Sequence, residues 1–176
     1  MAHFLDIVPG CQKVKEKVYK LSDFIFTAIA TPMALMVTLV FWSIYLIDRE
    51  LIFPKVIDLV MPPWINHSIH TMNTLLALGD MYLVSHKYPS WTHAAGGLLC
   101  YLIPYAFCLF GTYWQTGIWL YPFLSKLTWT MRIVAALLTF VGALLVFGLT
   151  KLVSYFMWGS YSAAPVSKKS QKHKRK

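Results

Sequence analysis

Acidic residues, and charged residues in general, are scarce in this sequence. Charged residues make up 13% of the chain, and aspartate and glutamate together number 7, the last of them being Asp80. Ordinary soluble domains carry about a quarter charged residues. The shortage excludes an ordinary soluble domain, and a hydrophobic content of 57% indicates a chain that lies in a membrane.

Cysteine is also rare, and its spacing excludes two kinds of site. Of the 3 cysteines, Cys100 and Cys108 share one predicted helix, with Cys11 far upstream. They are about 12 Å apart along that helix, which is too far for a disulfide. The sequence has no Cys/His spacing that suits zinc. We expect neither a bound metal nor a cofactor.

Two further patterns are missing. The apolar runs are continuous, whereas a membrane β-barrel needs strands that alternate apolar and polar residues. The opening residues contain no apolar stretch long enough for a cleavable signal peptide before the chain turns basic. We therefore expect the first membrane span itself to direct insertion.

Long apolar runs predict an all-α, multi-pass transmembrane bundle of about four spans. A span needs about 20 mostly apolar residues. Basic segments at 1–23 and 152–176 flank the transmembrane domain, and the charged, proline-broken stretch 48–64 is predicted to lie at the interface. Pro32 and Pro104 are predicted to kink their helices. The predicted spans are 24–47, 66–84, 94–114 and 130–151.

The basic residues predict the orientation of the bundle. The formal net charge is +9, and lysine and arginine concentrate before the first span and in the tail that ends "KKSQKHKRK". Cytoplasmic flanks carry this excess, so both termini are predicted to be cytosolic. We expect an integral protein of the endoplasmic reticulum, the endomembrane system or the plasma membrane, with membrane lipids rather than nucleic acid as partners. The oligomeric state stays open.

The second predicted span is unusually polar. On a helical wheel His70 lies at the centre of one arc that also contains Asn66, His67 and Asn73. Polar and ionisable groups inside a membrane are costly and by default mark functional sites. Asp80 lies about 15 Å further along the helix, so we expect it to be a helix-end or packing partner and not a partner of His70.

Metal or haem binding by His67 and His70 is a weaker interpretation of the same stripe. Such a site needs further ligands, and no other predicted span places a histidine, cysteine or aspartate at that depth. A small-solute or ion carrier is disfavoured because the other spans have no matching polar stripe.

Three stretches carry a resemblance to a known family. These are "FWSIYLIDRELIFPKVIDLVMPPWINHSIHT" (41–71), "YPS" (88–90) and "TGIWLYPF" (116–123). The chain resembles the androgen-induced and androgen-dependent tissue-factor-pathway-inhibitor-regulating proteins over roughly residues 20–160. The resemblance implies a multi-pass hydrolase of fatty acid esters of hydroxy fatty acids, with a threonine nucleophile and a histidine partner.

Within that resemblance the catalytic histidine is the second one in N-H-x-x-H-T, which is His70. Asn66, His67 and Asn73 would orient the imidazole or bind the ester oxygen. The family threonine opens a span that precedes every span in this sequence, so we expect two N-terminal spans and the nucleophile to be missing. The shortened chain is then predicted to be inactive, and a non-catalytic membrane regulator or scaffold is the alternative.

The predicted orientation can be tested with two tags. A tag before Met1 and a tag after Lys176 should both be digested by protease added to the cytosolic side of sealed vesicles, because both flanks carry the excess of positive charge. Protection of either tag would contradict the four-span arrangement.

Overall fold

The computed structural model describes residues 12–162, with side chains from residue 14 to residue 159. Within that range every regular element is a helix, which confirms the all-α prediction. The cysteine at position 11 and the basic tail from residue 163 lie outside the described residues.

The first helix is longer than predicted. It runs without a break through Gln12–Ile25, a π turn at Phe26–Ala30 and Thr31–Ile47. The span was predicted to begin at residue 24, yet the helix already begins at Gln12. The preceding turns are polar and favour a helix on their own, since Lys20 pairs with Glu16 four residues earlier at 2.7 Å.

Pro32 is accommodated by a π turn directly before it. Proline has no amide hydrogen and cannot complete the usual i to i−4 bond. The turn at Phe26–Ala30 widens the helix here, and the Thr31 amide bonds to the carbonyl of Phe26, five residues back. Thr31 and Pro32 are both buried, so the irregular turn lies where the first helix packs against its neighbours.

The connection to the second helix is folded into short turns. Two 3₁₀ helices, Arg49–Leu51 and Lys55–Leu59, follow the first helix. Asp48 caps the first of them by accepting from the Glu50 amide at 3.0 Å. A second helix then runs through Pro63–His67, a π turn at Ser68–Met72, and Asn73–Leu83.

The third and fourth helices both extend beyond the residues of the predicted spans 94–114 and 130–151. They occupy Trp91–Thr116 and Trp129–Ser162, with a one-turn helix at Pro122–Ser125 between them. The Ser90 hydroxyl caps the third helix, which passes through Pro104 and ends at Gly117 in the left-handed conformation with φ 70°. Glycine suits that end because it has no side chain to clash.

Three helices are long and apolar enough to cross a membrane: Val14–Ile47, Trp91–Thr116 and Trp129–Gly159. The second helix does not qualify on composition, because its polar stripe lowers its hydropathy. The first and third helices end, and the second and fourth begin, at the same end of the bundle, which we call the His70 end.

At the opposite end His86 joins the first and second helices. Its Nδ1 lies 2.9 Å from Asp23 of the first helix, and its Nε2 lies 2.8 Å from Asp80 of the second. Phe26 stacks on the ring at 4.2 Å. Asp80 is therefore a partner at the end of its helix and does not contact His70.

The fourth helix packs closely on the start of the third. Phe147 is fully buried and meets Trp91 edge to face at 5.3 Å. A Cβ placed on Gly148 would lie 2.5 Å from the Trp91 ring, and one placed on Gly96 would meet nothing within 4 Å. The Lys151 ammonium donates to the Pro89 carbonyl at 3.2 Å. This packing requires glycine at position 148.

Gly148→Ala should therefore destabilise the protein. Overpacking a close contact costs about 1–3 kcal/mol, because the indole ring of Trp91 would have to shift from its edge-to-face contact with Phe147 to make room for the added Cβ. The measurement is the thermal unfolding midpoint of the protein in nanodiscs. Gly96→Ala is the matched control and should keep or slightly raise the midpoint, since alanine favours helix. Equal midpoints for the two variants would contradict the packing.

Candidate active site around His70

The His70 ring is fixed on two sides. Its Nδ1 lies 2.8 Å from the side-chain oxygen of Asn66 and 3.1 Å from the Asn66 carbonyl, one turn earlier on the same helix. Phe41 of the first helix stacks on the ring with centroids 3.5 Å apart and planes inclined by 7°. Asn66 and Phe41 are themselves buried, so both supports are held by the fold.

These contacts determine which ring nitrogen of His70 can act as a base. A backbone carbonyl only accepts hydrogen bonds, so the contact between Nδ1 and the Asn66 carbonyl requires Nδ1 to carry the hydrogen. In neutral imidazole the other nitrogen then holds the lone pair. Nε2 is therefore the basic atom, and no described residue hydrogen-bonds to it.

His67 occupies a different environment. Its ring stacks on Trp42 at 5.1 Å, and its Nδ1 lies 3.3 Å from the Thr71 hydroxyl. The Trp42 indole donates to that same hydroxyl at 3.2 Å. The adjacent residues Phe41 and Trp42 thus hold the two histidines separately, and the structure does not direct His67 at the ring of His70.

A polar cluster joins the two helices directly beneath His70. The Thr38 hydroxyl donates to the His70 carbonyl at 2.6 Å and lies 2.7 Å from the Thr74 hydroxyl. Thr74 donates to the Ala34 carbonyl at 2.8 Å, and the Asn73 side-chain oxygen accepts from the Thr74 amide at 2.7 Å. His70 lies in a π turn, a feature that often marks functional sites, and Thr38 bonds to the carbonyl within that turn.

The connecting segment after the first helix covers the outer side of Phe41. Phe53 is buried and meets Phe41 edge to face at 6.2 Å. Arg49 donates to both carboxylate oxygens of Asp58, at 2.9 and 2.8 Å, and to the Phe53 carbonyl. The hydrogen bond to Asp58 raises the pKa of Arg49. The predicted interface segment is therefore a folded support for the aromatic side of the site.

The structure separates the members of the predicted polar stripe. Asn66 contacts His70, Asn73 lies in the cluster beneath it, and His67 stacks on Trp42. Phe41 was missed by sequence reasoning because a wheel of one helix cannot show what the next helix contributes. The pair "FW" within the matched stretch 41–71 was the signal that could have identified the aromatic supports.

No hydroxyl group is positioned as a nucleophile for His70 among the described residues. Thr38 contacts only the backbone of His70, and Thr71 contacts Trp42 and His67. Two surface grooves of about 440 and 410 Å³ lie elsewhere, beside Tyr82 and Trp158 and beside Phe24 and Gly97. In the same described range, no three histidines, cysteines or acids come close enough to hold a metal ion.

Comparison with known proteins confirms the resemblance. The family model for FAR-17a/AIG1-like proteins matches residues 2–155. The human androgen-dependent TFPI-regulating protein is 34% identical over 137 residues, 78% of this chain and 60% of that protein. The human androgen-induced gene 1 protein is 29% identical over 157 residues, 89% of this chain and 66% of that protein. This chain thus spans less than two thirds of either relative, and no solved structure matches it.

The tautomer of His70 is a testable consequence of this geometry. In ¹⁵N-histidine-labelled protein at a pH where the ring is neutral, Nδ1 should show the shift of a protonated nitrogen and Nε2 that of a nitrogen with a lone pair. The signal is assigned by its loss in His70→Gln. Asn66→Leu should increase the population of the other tautomer, because it removes the shorter of the two contacts. A wild-type ring protonated at Nε2 would contradict the site.

Proposed function

This chain belongs to the FAR-17a/AIG1-like family, and from that premise we propose that it is an integral membrane protein of the lipid-hydrolase type, in which His70 acts as general base. The proposed substrates are fatty acid esters of hydroxy fatty acids. The observation that carries the proposal is the orientation of His70, whose Nδ1 bonds to Asn66 while Nε2 is left as the basic atom.

The proposed reaction uses a threonine hydroxyl as nucleophile, a group that none of the described threonines near His70 supplies. His70 Nε2 takes the proton from the hydroxyl as its oxygen attacks the ester carbonyl, because an alcohol is a weak nucleophile until a base removes its proton. The alcohol part of the lipid leaves and takes up the proton. Water, deprotonated by the same nitrogen, then releases the fatty acid from the acylated threonine.

Support for this chemistry comes from the way the site is held. A base must keep one orientation to be efficient, and rigid supports supply it. Stacking on Phe41 fixes the plane of the His70 ring, and Asn66 fixes its rotation. Asn73 belongs to the layer beneath and acts through Thr74 and Thr38 on the backbone of His70, not on the ester.

The missing partner of His70 supports a second candidate function. Within residues 14–159, each threonine near the ring is bonded elsewhere, so the described site holds a base without a nucleophile. A non-catalytic membrane regulator would need no such pair. One relative carries the name of a TFPI-regulating protein, which agrees with regulation as a role within the family.

Active-site labelling tests whether this chain carries its own nucleophile. Residues 1–176, expressed alone and inserted in membranes, should not react with a fluorophosphonate probe, because no described hydroxyl is within hydrogen-bond reach of the His70 ring. The readout is in-gel fluorescence of the purified protein. Labelling of a threonine in this chain that disappears in His70→Ala would show that the chain contains its own nucleophile.

A fusion then tests the catalytic role of His70 itself. The part of the human androgen-induced gene 1 protein that the match does not cover is placed before this chain. We expect ester hydrolysis that His70→Ala abolishes, a loss of at least about a hundredfold for a general base. Asp80→Asn is the control and should retain activity, since Asp80 contacts His86. A fully active His70→Ala fusion would refute the mechanism.

A further inference from the structure

A second functional group lies at the His70 end, in the first turn of the fourth helix. The Arg132 guanidinium packs over two indole rings, 4.4 Å from the centre of Trp119 and 4.6 Å from that of Trp129. Its Nε donates to the Leu124 carbonyl at 3.0 Å. Trp119 is buried and stacks on Tyr113 at 4.0 Å, so the aromatic support of the cation is itself rigid.

The contacts leave the terminal nitrogens of Arg132 without a partner among the described residues. Nε is taken by Leu124, and no described carboxylate lies within salt-bridge distance of this arginine. The sequence after Asp80 contains no acidic residue at all. Packing against indole rings stabilises a cation but does not neutralise it. The pair of terminal amino groups therefore presents an unneutralised fork at the His70 end of the bundle.

Arg49, at the same end of the bundle, is an arginine whose charge is neutralised by a carboxylate. It also packs over aromatic rings, 5.3 Å from Tyr45 and 5.7 Å from Phe53. Its guanidinium, however, is engaged by both carboxylate oxygens of Asp58. Arg49 therefore has both an aromatic support and a carboxylate partner. Arg132 has the aromatic support but no carboxylate partner within the described part of the chain.

The register of the helices gives the depth of Arg132 relative to His70. A Cβ on Gly142 would lie 2.9 Å from the end of Met36, so these two residues share a level. Arg132 lies about 15 Å nearer the His70 end than Gly142, and Phe41 lies about 7.5 Å nearer that end than Met36. Arg132 is therefore about 7.5 Å closer to the membrane surface than the ring that stacks on His70.

From these observations we infer that Arg132 binds the free carboxylate of a single-chain lipid whose hydrocarbon chain extends inward past the level of His70. The inference deepens the proposed function. Only the statement about the position of the ester rests on that function, because binding of a carboxylate at Arg132 does not require hydrolysis. An ester between a fatty acid and a hydroxy fatty acid retains one carboxylate and carries its ester several methylene groups away. A carboxylate held at Arg132 would place such an ester deeper, toward the level of His70.

Arginine suits this role better than lysine would. Its planar fork donates two parallel hydrogen bonds to a carboxylate, and with Nε engaged the two terminal nitrogens form the remaining edge. The two indole rings, whose centroids are 6.1 Å apart, form a corner over which the guanidinium packs and so restrict its orientation. A methyl ester of the same lipid has no negative charge and should bind more weakly.

The test is photo-crosslinking of the full chain in phosphatidylcholine nanodiscs. Two probes are compared. One is a fatty acid that carries a diazirine and an alkyne, and the other is the methyl ester of the same fatty acid. The diazirine is placed next to the carboxyl end of the hydrocarbon chain. The acid should label the wild-type protein more strongly, and mass spectrometry should map the label to peptides from the third and fourth helices or their connection. Arg132→Gln should reduce labelling by the acid about tenfold, the loss expected for a charged hydrogen-bonded pair, and leave labelling by the ester unchanged.

Matched variants isolate the guanidinium. Lys126→Gln removes one positive charge from the same connection and should not change labelling, whereas Arg132→Lys should give an intermediate loss because it keeps charge without the fork. Asp80→Asn, at the opposite end of the bundle, should label as the wild type does. Labelling by the fatty acid cleaves no ester, so the anchor can stand even if hydrolysis fails. Equal labelling of the wild type by acid and ester, a map outside this region, or displacement by phosphatidic acid but not by oleate would overturn the inference.

Discussion

The second helix carries a stripe of polar groups among three helices that are long and apolar enough to cross a membrane, and it depends on the first helix for the partners of those groups. Thr38 donates to the carbonyl of His70, and Phe41 stacks on the His70 ring. Trp42 stacks on His67 and donates to the Thr71 hydroxyl. Unsatisfied polar groups cost several kcal/mol in lipid. One face of the first helix therefore fixes the position of the second helix and the orientation of its histidines.

The outer connections extend this dependence to the membrane surface. The segment after the first helix covers Phe41 with Phe53, and its Arg49–Asp58 pair closes that segment on itself. The connection after the third helix instead builds aromatic packing around Arg132 with no acid to match it. The same end of the bundle thus carries a histidine ring in a fixed orientation and an arginine that, within the described part of the chain, has no carboxylate partner.

The helices could be predicted from the sequence because length and hydropathy decide them, and the polar stripe identified His70 and Asn66 as neighbours. The positions of the helix ends were harder to predict from the sequence. The turns from Gln12 continue the first helix although they are polar. The stripe itself was divided by the π turn at Ser68–Met72, which changes the angle between successive residues. An ideal wheel assumes a constant angle and cannot anticipate that change.

The most direct test of this arrangement is disulfide trapping between the first two helices. With native cysteines replaced by serine, Thr38→Cys and Thr74→Cys should form a crosslink rapidly in membranes, because their hydroxyl oxygens lie 2.7 Å apart. Thr38→Cys paired with Leu75→Cys should not, since the Leu75 side chain is exposed on the outer surface of the bundle. Preferential trapping of the second pair would mean that Phe41 does not face His70, and the account of the site would be wrong.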